Sequence, residues 1–443
     1  MGEWKRVKIG DILKEVSREK KIDPNTKYGL LGVKWYGKGV FLREEKYGKE
    51  IKATKLYQVK QGDFIYNRLF AWKSSFAIVP QEFDGCLVSN EFPLFTCHEG
   101  ELLPEFLLSY ILLPENIAAI NNLSGGMSSV SRKRFKENDF LNFEVPQYDI
   151  ETQNKICQRL KKVSELLITQ GLESTHQLAL IKQLRQTVLQ EAIEGKLTAK
   201  WRDEHPDLIS GDNRASKLLE KIKAEKERLI KEGNPSTSLR TRIKKDKPHA
   251  PITDAEKLFD LPEGWEWCRL GDCAINKDDA RQPISQSERE RKEKKYPYYG
   301  ASGIIDKIDG FTHEGENLLI GEDGANLVSR STPIAFAADG QYWVNNHAHV
   351  LGFVEEITLR FIETHINAID LTPYVTGGFQ PKLSQGNLNT ILISFPPLAE
   401  QQAIVERVDK LMTMIDGLEK QVSERKEQSE MLMQSVLREA FAR

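Results

Sequence analysis

A long internal repeat constrains this chain more than any other feature, because two copies of one plan should give two similar folds. Residues 186–193 read QTVLQEAI and residues 434–441 read QSVLREAF, an offset of 248 residues. The same offset superposes three further pairs, Gln153 on Gln401, Ile156 on Ile404 and Arg159 on Arg407. Each half runs in one order: a Trp…Gly-Asp segment, a variable stretch, a Gly-Gly pair, a Pro and a helix. The sequence therefore predicts one scaffold used twice, with different surface loops.

Each half ends in a stretch whose apolar residues recur near every 3.5 residues over some forty residues, which is typical of a coiled-coil seam. The predicted seam residues are Ile156, Leu160, Val163, Leu167, Leu184 and Val188 in the first helix and Ile404, Val408, Leu411, Ile415, Leu432 and Val436 in the second. Two matched copies favour pairing of the two helices. The alternative is two bundle helices of a globular core.

The segments outside these helices show other sequence patterns. Short apolar runs punctuated by Gly and Asp precede each helix and indicate strands and turns, hence a mixed α+β module of about 150 residues per half. Between the halves, residues 216–232 predict an amphipathic charged helix, and from Ser216 to His249 eleven Lys or Arg outnumber five Asp or Glu. A solvated linker and a phosphate-contacting segment are equally good interpretations of this excess.

Composition bounds the function classes. The 443 residues fit two to four domains at roughly 100–200 residues each. A net charge of −2 argues against the strongly basic surface of many nucleic-acid-binding proteins, so the local distribution of charge has to decide. Five cysteines without a C-x-x-C pair fit a reducing cytoplasm. No run reaches the roughly 18 apolar residues of a membrane-spanning helix.

Catalytic motifs are missing. The sequence contains no G-x-x-x-x-G-K-[ST] phosphate loop, no G-x-G-x-x-G after a strand and no G-x-S-x-G elbow. His347-x-His349 is the one close histidine pair, and without a third ligand it favours a structural or substrate-contacting role over metal binding. The stretch Gly321-Glu-Asp-Gly324 more often makes a tight turn than a metal site. A self-contained nuclease is therefore disfavoured.

The variable stretches do place polar, aromatic and basic residues in turn contexts at matching positions of the two halves. Such side chains neutralise phosphates or bond base edges, although any single Arg among them is more often a surface residue. The predicted DNA-binding residues are Asn67, Arg68, Trp72, Lys73, Ser74, Arg132, Lys133 and Arg134 in the first half and Asn326, Arg330, Ser331, Asn346, His347, Gln380 and Lys382 in the second.

Three motifs, in this order and repetition, resemble the specificity subunit of type I restriction-modification enzymes. They are QTVLQEAIEGKL at 186–197, LPEGWEWCRLGD at 261–272 and PPLAEQQAIV at 396–405. The first half departs from the pattern, since it has QYDIETQ at 147–153 where the second has PLAEQ. The resemblance covers the whole chain.

The resemblance implies an α+β fold with two duplicated target-recognition domains separated by two long antiparallel coiled-coil helices, related by a pseudo-twofold axis. The expected segments are residues 1–150 (first target-recognition domain), 151–197 (first helix, a spacer), 198–260 (basic linker with a short helix), 261–397 (second domain) and 398–443 (second helix). It also implies a non-catalytic, cytoplasmic subunit that reads one half of a split DNA site with each domain.

The partners implied by the resemblance are double-stranded DNA, two methyltransferase subunits and two restriction/translocase subunits, with no membrane. S-adenosylmethionine, ATP and Mg²⁺ are expected in those partner subunits, and no cofactor or metal in this chain. The alternative is a coiled-coil scaffold protein whose globular ends bind protein. It predicts no sequence-dependent contact with DNA.

Overall fold

The computed structural model describes residues 5–53, 55–98, 100–125, 133–232 and 251–441. The chain divides into two compact units, one formed by residues 1–176 with 422–443 and the other by residues 177–421. Each unit contains one of the repeated modules together with part of each long helix. The first unit thus holds the start of one long helix and the end of the other, and the second unit holds the remainder of both.

The first module consists of short strands, four helices and the start of a long one. Its elements are β1 (Arg6–Lys8), α1 (Ile9–Ile12), β2 (Leu13–Val16), β3 (Lys27–Val33), β4 (Val40–Tyr47), β5 (Tyr57–Gln58), β6 (Phe64–Tyr66), β7 (Phe76–Ile78), β8 (Leu87–Val88), β9 (Leu94–Cys97), α2 (Pro104–Ile111), α3 (Pro114–Leu123), α4 (Glu137–Leu141), β10 (Glu144–Pro146) and α5 (Ile150–Ile193).

Three sheets organise this module. Two have four strands, in the orders β2-β9-β6-β7 and β4-β3-β8-β5, and one is the pair β1-β10. All neighbours are antiparallel except β3 and β8. The core between the sheets and α2–α4 is aromatic: the Tyr66 ring stacks on Phe95 with a centroid distance of 6.1 Å, and Phe140 contacts both. Large aromatic side chains bury much apolar area per residue, which suits the short strands, of three or four residues, in the β2-β9-β6-β7 sheet.

Two helices follow α5 in the linker, and the second module comes after them. The elements are α6 (Ala199–Glu204), α7 (Ala215–Glu232), β11 (Glu266–Arg269), α8 (Leu270–Cys273), β12 (Ile275–Asn276), α9 (Gln286–Arg289), β13 (Tyr296–Gly300), β14 (Gly303–Ile308), β15 (His313–Glu314), β16 (Asn317–Gly321), α10 (Asn326–Ser329), β17 (Ala335–Ala338), β18 (Gln341–Val344), β19 (Ala348–Gly352), α11 (Glu356–Ala368), α12 (Gln385–Asn389), β20 (Leu392–Phe395) and α13 (Leu398–Phe441).

The second module repeats the topology of the first strand for strand. Its sheets run β12-β19-β16-β17, β14-β13-β18-β15 and β11-β20, and its one parallel pair is β13 with β18. The order of the first module is thus reproduced throughout, although the variable stretches share almost no sequence. The duplication predicted from the two ends of each half extends through the middle of both modules.

The two long helices have 44 residues each, and they pair antiparallel as predicted. In the first unit Arg159 pairs with Glu439 at 3.1 Å, and Ser429 Oγ lies 3.3 Å from Gln170 Oε1. In the second unit Arg185 pairs with Asp416 at 2.7 Å. Residue numbers therefore rise along α5 while they fall along α13.

Burial along each helix follows a strict seven-residue repeat. The positions of this row are Gln153, Leu160, Leu167, Ser174, Ile181 and Val188 in α5 and Gln401, Val408, Ile415, Val422, Ser429 and Val436 in α13; all are buried except the half-buried Ser429. Each α13 position is the α5 position plus 248. The second row of the seam holds Ile404, which is buried, and Ile156, Val163 and Leu411, which are half-buried.

Two predicted seam residues were wrong. Leu184 and Leu432 are 44% and 50% exposed. In α5 the second row lies three residues after the main row at Ile156 and Val163. After Ile181 it lies four residues later, at half-buried Arg185, and not at Leu184 as predicted. A helix of 3.6 residues per turn drifts by about 20° per heptad from a 3.5-residue repeat, which accounts for the shift.

The linker packs on the second module. In α7, Leu218 and Ile222 are buried in the core of that module, and the Lys226 ammonium donates to the backbone carbonyls of Gly271, at 2.5 Å, and Ala274, at 2.8 Å. Residues 233–250, which carry much of the predicted basic excess, lie outside the described residues. The described part of the linker is thus held by apolar burial and by capping of α8.

Candidate nucleic-acid interface

Three segments meet at one edge of each module. They are the β6–β7 loop, the β8–β9 loop and residues 133–135 in the first module, and the β16–β17 loop, the β18–β19 loop and residues 382–383 in the second. In the first module the Arg68 N–H donates to the Glu91 carbonyl at 3.0 Å, and the Phe135 N–H donates to the Arg68 carbonyl at 2.9 Å. In the second module the Glu322 N–H donates to the His347 carbonyl at 2.9 Å, and the Leu383 N–H donates to the Glu322 carbonyl at 2.7 Å. Two backbone hydrogen bonds thus build the same edge in both modules.

A cation stands at the same place on this edge in each module, 248 residues apart in sequence. The Arg134 N–H donates to the Gly125 carbonyl and the Lys382 N–H to the Thr376 carbonyl, both at 2.8 Å. Their side chains are 45% and 55% exposed. Arg134 pairs with Glu91, and Lys382 Nζ lies 3.1 Å from Glu322. Both cations are themselves exposed, and Glu322 keeps Arg281 as a partner, so either cation can exchange its carboxylate for a phosphate.

The predicted residues of the β6–β7 loop divide into two groups. Asn67 and Arg68 bond to other groups of the protein, and Trp72, Lys73 and Ser74 lie half-buried beside them. Asn67 Oδ1 accepts from the Leu69 N–H at 2.9 Å, and the Arg68 guanidinium pairs with Glu137 and the Asn90 carbonyl. Both side chains hold the loops together, and their contact with DNA stays a prediction. Trp72, Lys73 and Ser74 are half-buried, and the Lys73 ammonium lies 3.8 Å from the centre of the Trp35 ring.

The predicted basic triplet is only partly described. Arg132 lies outside the described residues, and Lys133 Nζ donates to Asn121 Oδ1 at 2.8 Å. Lys133 therefore fastens its loop to α3, which leaves Arg134 as the exposed member of the two.

Two predicted residues of the second module also have structural roles. The Asn326 amide donates to Thr332 Oγ1 at 2.8 Å and its Oδ1 accepts from Ser331 Oγ at 2.8 Å, so it closes its own loop. The Arg330 guanidinium donates to the carbonyls of Ile366, at 3.3 Å, and Ile369. These carbonyls lie at the end of α11, and Arg330 satisfies them in place of the missing helical partners. Arg330 thus has a structural role in its loop, and its contact with DNA stays a prediction.

The remaining predicted residues of this module lie on the exposed edge. Asn346, His347 and Gln380 are exposed, and Ser331 is exposed beside Asn326. His347 Nδ1 lies 2.8 Å from Asp323 Oδ2. With Lys382, these side chains present both donors and acceptors, as base-edge recognition requires.

A buried ionic network supports that edge from below. Arg281 Nη1 donates to Glu322 at 2.6 Å, and His349 Nδ1 lies 2.6 Å from Asp278. Burial disfavours the charged form of both carboxyls and so acts to raise their pKa. His349 and Arg281 nevertheless hold the pKa of Asp278 below its usual value. Arg281, His349 and Lys382 likewise hold the pKa of Glu322 below its usual value. The predicted structural role suits His349, and the Gly321–Gly324 stretch leads into α10 rather than making a tight strand-to-strand turn.

The β3–β4 loop is an exposed feature that the sequence did not indicate. The β3–β4 loop reads Lys-Trp-Tyr-Gly-Lys-Gly at 34–39, and Trp35 and Tyr36 are 41% and 66% exposed. Its Tyr36 N–H donates to the Lys73 carbonyl at 2.9 Å, so the loop joins the same edge. The signal was an aromatic pair between lysines and glycines in a turn.

The described residues show neither a metal-ligand cluster nor a membrane-spanning helix. Within them no group of three or more His, Cys, Asp or Glu side chains is placed to hold a metal ion. Among the described helices none is long and apolar enough to cross a membrane.

Comparison with known proteins gives a single family. The family model described as "Type I restriction modification DNA specificity domain" matches residues 1–176 and 262–427. A putative type I restriction enzyme specificity subunit of Haemophilus influenzae is 37% identical over 163 residues, 37% of this chain and 41% of that protein. The type I restriction enzyme EcoEI specificity subunit of Escherichia coli is 27% identical over 267 residues, 54% of this chain and 42% of that protein. The matches thus span about two fifths of these relatives.

Two solved structures share the fold. The crystal structure of the HsdS subunit from Thermoanaerobacter tengcongensis aligns with a TM-score of 0.55 and 17% identity, over 99% of this chain and 96% of that chain. A chain from work on complex assembly and conformational transition of the type I R-M system aligns with a TM-score of 0.63 and 16% identity, over 99% of this chain and 97% of that chain. At these identities the likeness is one of fold.

Proposed function

The chain belongs to the type I restriction-modification DNA specificity family, and we propose that it is the non-catalytic subunit that gives such a complex its DNA sequence specificity. Each module acts as a target-recognition domain and reads one half of a bipartite site. The observation that carries the proposal is the matched edge: three loops joined by equivalent backbone hydrogen bonds, with an exposed cation at Arg134 and at Lys382.

The helix pair sets the distance between the half-sites in this proposal. A helix of 44 residues is roughly 66 Å long at 1.5 Å per residue. Half-sites that face the same side of a duplex lie about 34–36 Å apart, one helical turn, which is within the span of such a pair. Two copies of one module, each with its own recognition edge, support a site in two parts.

Exposed apolar residues on the helices support docking of two copies of one partner. Leu166 and Leu184 of α5 are exposed, and so are Met414 and Leu432, the residues 248 positions later in α13. Apolar side chains that both copies leave uncovered at the same positions mark protein-binding surfaces. Two methyltransferase subunits fit such a duplicated surface, and two restriction/translocase subunits complete the proposed complex.

The proposal assigns the chemistry to those partners. S-adenosylmethionine, ATP and Mg²⁺ act in the methyltransferase and translocase subunits, and the complex works in the cytoplasm, where the DNA is. With a net charge of −2, this chain alone is expected to bind DNA weakly, and tightly only when partner subunits surround the duplex.

The test is co-expression with the cognate methyltransferase in a host free of adenine methylation, followed by sequencing of methylated bases. The expected result is adenine methylation at one two-part motif, and its absence with an assembled complex rejects the proposal. Arg134→Gln and Lys382→Gln should each weaken discrimination at one half-site only. Arg43→Gln and Lys294→Gln remove cations of similar exposure that pair with Glu44 and Asp306, and they serve as controls.

The scaffold alternative makes the opposite prediction. A scaffold with protein-binding ends retains its partners, but leaves methylation without a sequence motif. The same Arg134→Gln and Lys382→Gln variants would then change neither assembly nor the distribution of methylated adenines.

A further inference from the structure

The β3–β4 loop of the first module carries two exposed aromatic rings between lysines. Lys34 and Lys38 flank Trp35 and Tyr36 in sequence, and the Lys73 ammonium lies over the Trp35 ring at 3.8 Å. Within the described part of the chain, none of these three ammoniums forms an ion pair with a carboxylate. Three unpaired positive charges around two rings complement a polyanion that also offers flat apolar surfaces.

The loop is held in a strained shape. Tyr36 has a φ of 60° and Ser74 a φ of 58°, and these are two of only three non-glycine residues with positive φ among those described. The Tyr36 N–H donates to the Lys73 carbonyl at 2.9 Å and the Gly37 N–H to the Ser74 carbonyl at 2.8 Å. Such backbone strain persists where the surroundings fix it, and it concentrates at functional sites.

Packing also fixes the turn at Gly37. Its φ is 67°, and a Cβ at this position would lie 2.5 Å from Leu112 Cδ1. The tip therefore rests on the end of α2 and presents the Tyr36 ring outward. The Tyr36 side chain is 66% exposed, so the strained backbone of this turn does not serve to bury the ring in the core.

We propose that the Trp35–Tyr36 turn enters a DNA groove at the half-site read by the first module, with the Tyr36 ring against base edges and the ammoniums of Lys34, Lys38 and Lys73 on the adjacent phosphates. A two-stranded β-ribbon fits the major groove, and apolar side chains contact thymine methyl groups there. Tyr36 is then a specificity-determining residue. This inference rests on the proposed function, and it adds residues that the sequence did not indicate.

The same hairpin contains a matched control. Tyr47 lies at the other end of β4, paired with Lys27, whereas the tip follows the Val33–Val40 pair, about 20 Å away at 3.3 Å per residue. Tyr47 is 46% exposed, and Lys49 lies 5.7 Å from the centre of its ring. The control thus has the same residue types, a similar exposure and the same strands, but lies away from the recognition edge.

The experiment measures binding of the assembled methyltransferase complex to a duplex with the methylated motif, by fluorescence anisotropy at several salt concentrations. Tyr36→Ala should weaken binding at least tenfold with an unchanged salt slope, and Tyr36→Phe should bind like the wild type. Replacing Lys34, Lys38 and Lys73 by Gln should flatten the log–log salt slope by about 0.9 for each phosphate that is no longer neutralised. Tyr47→Ala and Lys49→Gln should change neither quantity.

A glycine variant separates this role from a structural one. Tyr36→Gly removes the strain of positive φ, so its melting temperature should not fall, yet its binding should weaken like that of Tyr36→Ala. Scrambling the first half-site should abolish the difference between Tyr36→Ala and wild type, and scrambling the second should not. Binding of Tyr36→Ala and Tyr36→Gly within twofold of wild type overturns the inference. A wild-type complex without specific binding overturns the proposed function instead.

Discussion

The indole N–H of Trp265 donates a hydrogen bond of 2.7 Å to Glu400 Oε2, a carboxylate with no exposed surface. Thr198 Oγ1 donates to the other oxygen at 2.7 Å, and Arg202 pairs with it. Gly195, with a φ of 70°, packs so closely that a Cβ would lie 2.7 Å from Pro262. The three sequence motifs that indicated the family therefore meet in space, where α5 ends, the second module begins and α13 starts.

Removal of this buried carboxylate should be costly. Glu400→Ala leaves Arg202 and the Trp265 N–H without their partner, and we expect a loss of about 3–5 kcal/mol in the free energy of unfolding of the second unit. Urea unfolding followed by Trp fluorescence measures it. Thr152, the residue 248 positions earlier, is half-buried at the start of α5. Thr152→Ala should cost less than about 1 kcal/mol, and an equal loss in both variants would contradict the role given to Glu400.

One buried position of the helix seam is polar in α5 and apolar at the equivalent place in α13, which suggests a stabilising substitution. Ser174 is buried in the main row, where the second helix has Val422. Ser174→Val should raise the free energy of unfolding by about 1 kcal/mol through added apolar burial. Differential scanning calorimetry should show a higher melting temperature. Thr175→Val, at an exposed neighbouring position, should leave it unchanged.

The exposed leucines should matter for assembly and little for folding. Leu184→Glu and Leu432→Glu change side chains that are 44% and 50% exposed, so the isolated chain should keep its melting temperature within about 1 °C. Capture of the methyltransferase should fall, most strongly in the double variant. Ile181→Glu changes a residue of the buried row and should instead unfold the paired helices. Full capture of the methyltransferase by the Leu184→Glu, Leu432→Glu double variant would exclude this docking surface.

Arg330 should affect the fold rather than recognition. Arg330→Ala leaves the carbonyls of Ile366 and Ile369 without a donor at the end of α11, and we expect a loss of about 1–3 kcal/mol. The methylated motif should stay the same. Hydrogen exchange of the last turn of α11 reports the first effect and methylated-base sequencing the second, so a changed motif would restore Arg330 to the interface.

Stability of the second unit should fall as the pH falls from 7 to 5. Burial lowers the pKa of His365 to about 3 and that of His313 to about 4, below the value of about 6.5 in an unfolded chain. The unfolded state therefore takes up protons first, and each histidine lowers the free energy of unfolding by up to about 1.4 kcal/mol per pH unit below pH 6.5. His365→Leu should reduce this slope by one proton, as measured by urea unfolding between pH 5 and 7.

The 248-residue repeat predicted much of the architecture. Gln153 and Gln401, paired by the 248-residue offset, each donate from Nε2 to the carbonyl five residues earlier, Tyr148 at 2.8 Å and Pro396 at 2.9 Å. The long helices and the amphipathic α7 followed from the spacing of apolar residues, because such periodicity is a local property of the sequence. The strand-for-strand match of the variable stretches did not, since its signal is in pairings between distant residues.

The sequence by itself determined the duplication, the paired helices and the family, and it identified the Gly-Gly loops with the cations Arg134 and Lys382. Only the tertiary structure decided which polar side chains face outward. Arg68 and Arg330 bond to groups from other loops and helices, and Asn326 closes its own loop. The Trp35–Tyr36 turn joins the edge through the backbone carbonyls of Lys73 and Ser74. Whether an arginine is free for DNA depends on which backbone groups need a donor nearby, and that is settled when the chain is packed.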